Sequence, residues 1–318
     1  MPPQPALRLV FLGTPAFAVP TLDALARRGH QILSVVTQPD RPVGRGQNAQ
    51  PPPVKVAAAS LGLAVYQPER VRRPEAVAYL RNLAPDAMVV VGYGQIIPQS
   101  VIDIPRLGIL NVHASLLPRY RGAAPIQWAI AMGETRTGVT IMRIDAGLDT
   151  GDMLLKAETE IYPEETAVEL AGRLAPMGAG LAVTALDALA AGAIVPEKQD
   201  NSQATYAPLL KKEDGRIDWR LPAAQIHDRV RGFQPWPGAY TSFRGQALHL
   251  WKARPAEQKP SASAPGTIFR TRPLLVACGS GALELVEVQM EGRRRMPASD
   301  FANGQRLTEN EILGELPT

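Results

Sequence analysis

The sequence predicts an α/β protein of two domains, with a mostly parallel sheet in the first and a small antiparallel barrel in the second. The N-terminal part alternates apolar, β-branched runs with helical segments, which is typical of a parallel sheet buried on both faces. The C-terminal part carries short strands without helices between them, as small barrels do. A length of 318 residues suits two domains.

Five apolar runs predict the strands of the N-terminal sheet: Leu7–Leu12, Ile32–Thr37, Met88–Val91, Ile109–Val112 and Val139–Ile144. A tight turn at Gly13-Thr14-Pro15 follows the first run, and a helical pattern closed by Gly29 follows the turn. The Ala/Leu-rich stretch Ala167–Leu189 predicts a helix interrupted near Pro176 and Gly178. We expect this first domain to occupy residues 1–189.

Residues 190–208 turn polar and are interpreted as a linker, so that the second domain spans residues 209–318. Its pattern predicts one helix at Ala223–Gly232. The predicted barrel strands are Ala239–Phe243, Leu248–Ala253, Thr267–Phe269, Leu274–Ala277 and Ala282–Gln289.

Charge is distributed unevenly along the chain. Residues 1–205 hold 18 Lys/Arg and 18 Asp/Glu, whereas residues 206–318 hold 16 and 12. A neutral first part joined to a basic second part suggests a chemistry domain and a module that meets an anionic partner. Charge alone equally fits a basic surface kept for solubility.

Several classes of protein are excluded by composition. The single Cys278 rules out a disulfide framework, and four histidines leave little material for a zinc site, so we expect no metal. No apolar run approaches the roughly 20 residues of a membrane span, and no signal peptide is legible. We therefore expect a cytoplasmic protein with no membrane partner.

The turn after the first strand does not support a nucleotide-binding function. Pro15 stands where a dinucleotide fingerprint needs a glycine, and Gly92-Tyr93-Gly94 lacks the third glycine of that motif. No phosphate-binding loop of the G-x-x-x-x-G-K-[ST] type is present either.

Three polar residues are the candidates for catalysis. Asn111 and His113 are two residues apart at the end of an apolar strand, so their side chains project from the same face. Asp149 lies in a Gly-rich loop after the next strand and is a third candidate. An amide donor and an imidazole suit stabilisation of an oxyanion and movement of a proton. On spacing alone, a structural polar pair and a turn-forming Asp are the more common explanations.

Longer motifs in the sequence resemble those of a known family, which the spacing of Asn111, His113 and Asp149 alone does not reveal. Asn111-Val-His-Ala-Ser-Leu-Leu-Pro-Arg-Tyr-Arg-Gly-Ala-Ala-Pro125, followed by Gly147-Leu-Asp-Thr-Gly-Asp152, resembles the signature of the folate-dependent formyltransferase family. Phe11-Leu-Gly-Thr-Pro15, Thr37-Gln-Pro-Asp-Arg-Pro-Val-Gly-Arg-Gly46 and Phe233-Gln-Pro-Trp-Pro-Gly238 are similar to the family members that act on methionyl-tRNA. The resemblance extends over nearly the whole chain and implies a Rossmann-like first domain and an OB-like second one.

The resemblance implies transfer of a formyl group from 10-formyltetrahydrofolate to the amino group of methionine on initiator tRNA, by a monomer without a metal. Asn111 and a protonated His113 would stabilise the tetrahedral oxyanion, and Asp149 would orient the imidazole. The resemblance also places Ser115, Leu116, Leu117 and Pro118 along the folate. The backbone of residues 91–97 and 143–147 would accept its pterin ring.

The same resemblance implies that Arg41 and Arg45, in the insertion between residues 40 and 46, meet the acceptor end of the tRNA. Lys211, Lys212, Arg229 and Arg231 are basic residues of the second domain that can track phosphates. Arg293-Arg294-Arg295 is a further charge cluster, for which a solvated turn is an equally good interpretation.

Three other functions are compatible with parts of the sequence. A sugar-nucleotide formyltransferase or a formyl-folate hydrolase would share the fold, but would have no use for the basic barrel and the arginine loop. A non-enzymatic RNA-binding protein would need no intact Asn111, His113 and Asp149.

Overall fold

The computed structural model of the chain describes residues 6–43, 48–258 and 263–314. Its contacts form two compact units. Unit 1 consists of Met1–Ala123, Thr137–Thr159 and Ala171–Ala207, and unit 2 of Ala124–Arg136, Glu160–Leu170 and Pro208–Thr318. The division into domains 1–189 and 209–318 with a linker between them stays a prediction.

Unit 1 contains a seven-stranded sheet with the strand order β5-β2-β1-β6-β7-β8-β9. These strands are β1 (Arg8–Gly13), β2 (Gln31–Val36), β5 (Val65–Tyr66), β6 (Ala87–Val91), β7 (Ile109–His113), β8 (Arg136–Arg143) and β9 (Met153–Glu160). The pairs from β5 to β7 are parallel, and β8 runs antiparallel to β7. The predicted mostly parallel sheet is confirmed, and the antiparallel β8 is the exception within it.

Helices α1 (Val19–Arg27), α2 (Pro53–Ser60), α3 (Pro74–Asn82) and α4 (Gln99–Ile102) lie between strands of this sheet along the chain, and α6 (Ala167–Ala190) follows β9. A short antiparallel pair of strands, β3 (Arg41–Val43) and β4 (Asn48–Gln50), precedes α2. The β6 strand is buried along its whole length, as expected of a strand with both faces covered.

The order of strands reverses between β1 and β6, because β2 lies on one side of β1 and β6 on the other. Open α/β sheets bind ligands at such a reversal, beyond the carboxyl ends of the strands. At this edge β1 ends on Gly13, where a Cβ would stand 3.1 Å from the carbonyl oxygen of Val91 on β6. Any larger residue here would crowd the end of β6, so glycine favours the close approach of the two strand ends.

The α6 helix is continuous from Ala167 to Ala190, with Pro176 inside it. The predicted interruption near Pro176 and Gly178 is wrong. The helix buries Leu170, Leu174 and Leu186 completely, and this burial holds it together through the proline.

Unit 2 contains an antiparallel sheet in the order β10-β11-β14-β13-β12, with β15 paired to β14. Its strands are β10 (Ala239–Phe243), β11 (Gln246–Ala256), β12 (Ile268–Thr271), β13 (Leu274–Ala277), β14 (Ala282–Met290) and β15 (Met296–Pro297), and its helices are α5 (Pro125–Ala131), α7 (Ala223–Gly232) and α8 (Ala298–Gly304). The predicted C-terminal antiparallel sheet and the α7 helix are confirmed. Among the described residues, no helix is long and apolar enough to cross a membrane.

Arg231, on α7, is only 7% exposed and serves the packing of unit 2. Its guanidinium donates to Asp228 Oδ1 at 2.7 Å and to the carbonyl oxygens of Tyr162 and Glu165 at 3.3 and 3.1 Å. A guanidinium that is buried and bonded in this way is not accessible to a phosphate. The prediction that Arg231 tracks phosphates is wrong.

Candidate active site

The three candidate catalytic residues converge at the carboxyl edge of the sheet in unit 1. Asn111 and His113 lie at the end of β7, where Asn111 is paired with Val90 of β6 and with Met142 of β8. Asp149 lies in the loop after β8. The strand alternation and the loop thus bring together the amide, imidazole and carboxylate that the sequence singles out.

Asp149 contacts both of the other side chains. Asn111 Nδ2 donates to Asp149 Oδ1 at 3.3 Å, and His113 Nδ1 lies 3.6 Å from Asp149 Oδ2. The backbone N–H of Gly122 donates to the same Oδ2 at 2.8 Å. On the other side of the ring, His113 Nε2 lies 3.0 Å from the carbonyl oxygen of Tyr120. The carboxylate therefore fixes the relative positions of the amide and the ring.

The tautomer of His113 follows from these partners. The carbonyl oxygen of Tyr120 only accepts hydrogen bonds, so Nε2 carries a proton and donates it. Nδ1 faces the Asp149 carboxylate at 3.6 Å, which is longer than a good hydrogen bond. His113 is 5% exposed. Nδ1 is consequently the ring atom left to exchange a proton with a bound molecule.

The loop that carries Asp149 is held in an unusual backbone conformation. Asp149 has a φ of +51°, in the left-handed region that Asp tolerates better than most residues. Asp145 orders the start of the loop, because its Oδ1 accepts from the N–H of Gly147 at 3.0 Å and from Thr150 Oγ1 at 2.7 Å. The loop is thus shaped by its own hydrogen bonds before any ligand arrives.

A second set of contacts supports Asp149 from residues that the sequence did not single out. Gln199 Nε2 donates to the carbonyl oxygens of Asp149 and Gly151 at 2.9 and 2.7 Å. The Oε1 of Gln199 accepts from Arg121 Nη2 at 2.7 Å, and Arg121 also donates to Asn201 Oδ1 at 2.8 Å. Arg121 is 3% exposed. Gln199, itself held by Arg121, thus fixes the backbone at Asp149 and two residues after it.

The segment predicted as a linker takes part in the same support. The N–H of Arg121 donates to the carbonyl oxygen of Thr205 at 2.9 Å, and the N–H of Ala207 donates to that of Arg121 at 2.7 Å. Gly122 follows with a φ of +122°, and a Cβ there would stand 2.5 Å from the carbonyl oxygen of Ala207. Gly122 therefore permits both this close approach and its hydrogen bond to Asp149.

The predicted folate residues differ in accessibility. Ser115 is fully buried, and its hydroxyl donates to the carbonyl oxygen of Arg119 at 2.6 Å. Leu117 is 2% exposed and packs in the interior, whereas Leu116 and Pro118 are partly exposed. The side chains of Leu116 and Pro118 are therefore better placed to contact folate than those of Ser115 and Leu117. The role of all four residues in folate binding stays a prediction.

The edge formed by β1 and β6 holds further polar groups. Thr14 Oγ1 and Gln38 Nε2 both donate to the carbonyl oxygen of Tyr93, each at 3.0 Å. The hydroxyl of Tyr93 and Nε of Arg143 are buried and have no hydrogen-bond partner among the described residues. Burial raises the pKa of the Tyr93 phenol, so this hydroxyl stays neutral. The Tyr93 ring packs in the apolar core of unit 1 with Leu12 and Val90.

The predicted tRNA residues differ in their exposure. Arg41 is 63% exposed and pairs with Glu69 at 3.6 Å, whereas Arg45 lies outside the described residues. Lys211 and Lys212 are exposed residues of unit 2. Arg229 is half-buried, with its guanidinium carbon 5.8 Å from the centre of the Phe233 ring. The roles of these residues in tRNA binding stay predictions.

Solved structures are similar to this chain in fold. The sugar 3N-formyl transferase WlaRD matches 92% of this chain and all of its own, with 17% identity and a TM-score of 0.66. The methionyl-tRNA formyltransferase from Clostridium thermocellum matches 80% of this chain and 95% of its own, with 18% identity and a TM-score of 0.57. HypX from Aquifex aeolicus, in complex with tetrahydrofolic acid, matches with a TM-score of 0.64 and 18% identity over 96% of this chain. The present chain spans about half the length of that protein, 49%.

Family models and curated relatives give the assignment. The formyl transferase model matches residues 7–186, and the model of the formyl transferase C-terminal domain matches residues 209–306. The methionyl-tRNA formyltransferase of Solibacter usitatus is 72% identical over 97% of this chain and 99% of its own. That of Geobacter sulfurreducens is 52% identical over 97% of each chain. This chain therefore belongs to the formyl transferase family and, within it, to the methionyl-tRNA formyltransferases.

Proposed function

We propose that the chain transfers the formyl group of 10-formyltetrahydrofolate to the α-amino group of methionine on initiator methionyl-tRNA. The product, N-formylmethionyl-tRNA, serves translation initiation in the cytoplasm. The observation that carries the proposal is the convergence of Asn111 and His113 on Asp149, at 3.3 and 3.6 Å, in a chain of this family.

The folate would bind at the carboxyl edge of the sheet in unit 1, where it supplies a formyl group already activated on N10. Residues 91–97 begin at the last residue of β6 and residues 143–147 at the last residue of β8, and their backbone groups would suit the polar pterin ring. Leu116 and Pro118 offer the partly exposed apolar surface on which the remainder of the folate would lie.

Asn111 and His113 act on the charge and the proton that the transfer moves. The free α-amine has a pKa of about 8, so it is a usable nucleophile near neutral pH. As it attacks the formyl carbon, negative charge develops on the formyl oxygen, and Asn111 Nδ2 donates to that oxygen. His113 moves a proton through Nδ1 from the amine towards the departing nitrogen.

Asp149 positions these two groups. Its carboxylate contacts Asn111 and His113 on one side and is held by the N–H of Gly122 on the other. This arrangement orders the donors before reaction, so little reorganisation is needed in the transition state.

The tRNA would meet Arg41, Arg45 and the basic residues of unit 2, which include Lys211 and Lys212. Residues 206–318 carry 16 Lys/Arg against 12 Asp/Glu, and phosphate contacts dominate the binding of nucleic acids. We expect the chain to act as a monomer.

The test is a formylation assay with purified full-length chain, labelled 10-formyltetrahydrofolate and methionyl-initiator tRNA. We expect label in N-formylmethionine released from the tRNA, and none in uncharged tRNA. A dTDP-amino sugar as acceptor and folate without acceptor test the two other folate functions. Formyl transfer to the sugar, or release of free formate, without transfer to methionyl-tRNA would contradict the proposal.

A further inference from the structure

Unit 2 contains a cleft that the proposed reaction does not use. It has a volume of about 200 Å³, and we call it the Trp251 cleft. Its lining residues are Pro235, Pro237, Gly238, Ala239, His249, Leu250, Trp251, Gln289, Met290, Glu291 and Gly292. Drug-sized ligands occupy clefts of roughly 300–1,000 Å³, so this cleft suits a single small ring system.

The walls of the Trp251 cleft combine apolar surface with fixed polar groups. Trp251 is held by its indole N–H, which donates to Gln289 Oε1 at 2.8 Å, and Gln234 Nε2 donates to its carbonyl oxygen at 2.8 Å. Burial lowers the pKa of His249, so its ring is neutral at pH 7 and can both donate and accept a hydrogen bond. Pro235 and Pro237 form the apolar side.

Arginines follow directly on the lining residue Gly292. Arg293 and Arg294 are exposed and, within the described part of the chain, neither has an ion-pair partner. Arg295 pairs with Glu287, and its guanidinium carbon lies 5.1 Å from the centre of the Trp251 ring. A small apolar cleft with an aromatic wall thus has positive charge at its rim.

We propose that the Trp251 cleft takes one unstacked nucleobase of the tRNA, with Arg293 and Arg294 on the adjoining phosphates. This inference rests on the proposed function, because that function makes a tRNA the partner. Aromatic side chains beside basic groups are how proteins bind unpaired nucleotides without regard to their sequence. His249 and Gln289 offer hydrogen bonds to the edge of the base. The positive rim favours a nucleotide over an apolar peptide.

The first test measures binding of uncharged initiator tRNA to full-length variants at several salt concentrations. Trp251→Leu removes the aromatic wall, and the loss of one stacked base weakens binding by about 5-fold to 100-fold. Arg293→Gln with Arg294→Gln lowers the log–log salt slope by about one to two. The matched control is Arg270→Gln with Arg272→Gln, which removes the same charge from β12 and its turn and leaves the cleft residues intact. Equal effects of the two double variants would overturn the proposal.

The second test uses the unaltered chain and initiator tRNA containing 4-thiouridine, with ultraviolet crosslinking and peptide mapping. A crosslink in residues 234–252 or 288–295 is the expected result, and crosslinks confined to other peptides would overturn the inference. Formylation measured with the same wild-type preparation distinguishes failure of the nucleobase site from failure of the proposed function. Formylation without cleft crosslinks rejects the nucleobase site alone, whereas absence of formylation rejects the proposed function.

Discussion

The residues around the candidate catalytic trio of unit 1 and the candidate tRNA residues of unit 2 differ in how they are held. In unit 1, His113 is 5% exposed and Arg121 is 3% exposed, and each has defined partners. In unit 2, Lys211, Arg293 and Arg294 are exposed on the surface. The first arrangement suits chemistry that depends on the positions of a few atoms, and the second suits attraction of a long polyanion.

This difference predicts two kinds of defect. Substitutions in the unit 1 network change the rate of the chemical step, because they move or remove groups that act in the transition state. Substitutions of exposed basic residues change the affinity for tRNA and its dependence on salt. The predictions that follow test this separation.

Removal of the amide or the carboxylate has the largest expected effect. Asn111→Ala and Asp149→Ala each lower kcat for formylation by about 100-fold or more, since both serve one developing charge. The double variant loses much less than the product of the two single losses. Steady-state kinetics measure kcat for each variant, and thermal unfolding shows that each variant is folded. Multiplicative losses would mean that the two residues act independently.

Removal of the Gln199 support has a smaller effect on the same step. Gln199→Leu removes two hydrogen bonds to the Asp149 loop and lowers kcat by about 10-fold, because a loosened carboxylate misplaces its partners. The KM for tRNA stays unchanged. Gln203→Leu, an exposed residue of the same segment, is the matched control. A rise in KM with an unaltered kcat would place Gln199 in substrate binding.

Substitution of the arginines between residues 40 and 46 is expected to weaken the binding of methionyl-tRNA. Arg41→Ala and Arg45→Ala each raise the KM for methionyl-tRNA by about 10-fold, the effect of losing one hydrogen bond to a charged group. Folate affinity, measured by equilibrium binding, stays the same. Equal losses of folate and tRNA affinity would instead place these arginines in the folate site.

Protonation of His227 in unit 2 has the smallest expected effect, on stability. Burial lowers the pKa of this histidine below its ordinary value of 6.5, and Arg231 lowers it further. The folded state therefore binds fewer protons than the unfolded state, so stability is present above pH 6.5 and is lost as the pH falls. His227→Gln flattens the decrease in unfolding temperature between about pH 7.5 and pH 5.5. An unchanged slope would show that His227 does not contribute.

Local patterns in the sequence predict much of the fold. Five of the seven strands of the unit 1 sheet (β1, β2, β6, β7 and β8) and the α7 helix follow from apolar periodicity, which depends only on neighbours along the chain. These patterns do not predict β5 or β9. The continuity of α6 through Pro176 could not be predicted in this way, because it depends on burial of Leu170, Leu174 and Leu186 by the rest of the protein.

The candidate site was predictable to a similar depth. Asn111 and His113 share a strand face, and long motifs single out Asp149. No pattern in the sequence identifies Gln199, because its role depends on hydrogen bonds to the carbonyl oxygens of Asp149 and Gly151, about 50 residues away. Arg121 lies inside the motif, yet only the structure shows that it is buried and bonded to Gln199.

In the proposed reaction His113, beside Asp149, moves the proton in formyl transfer to methionyl-tRNA. A single-turnover formylation with the full-length chain saturated with 10-formyltetrahydrofolate, comparing wild type with His113→Ala, measures this step by itself. We predict transfer at least about 100-fold slower in the variant, with unaltered binding of methionyl-tRNA. Transfer at a near-normal rate by His113→Ala would show that His113 does not move the proton.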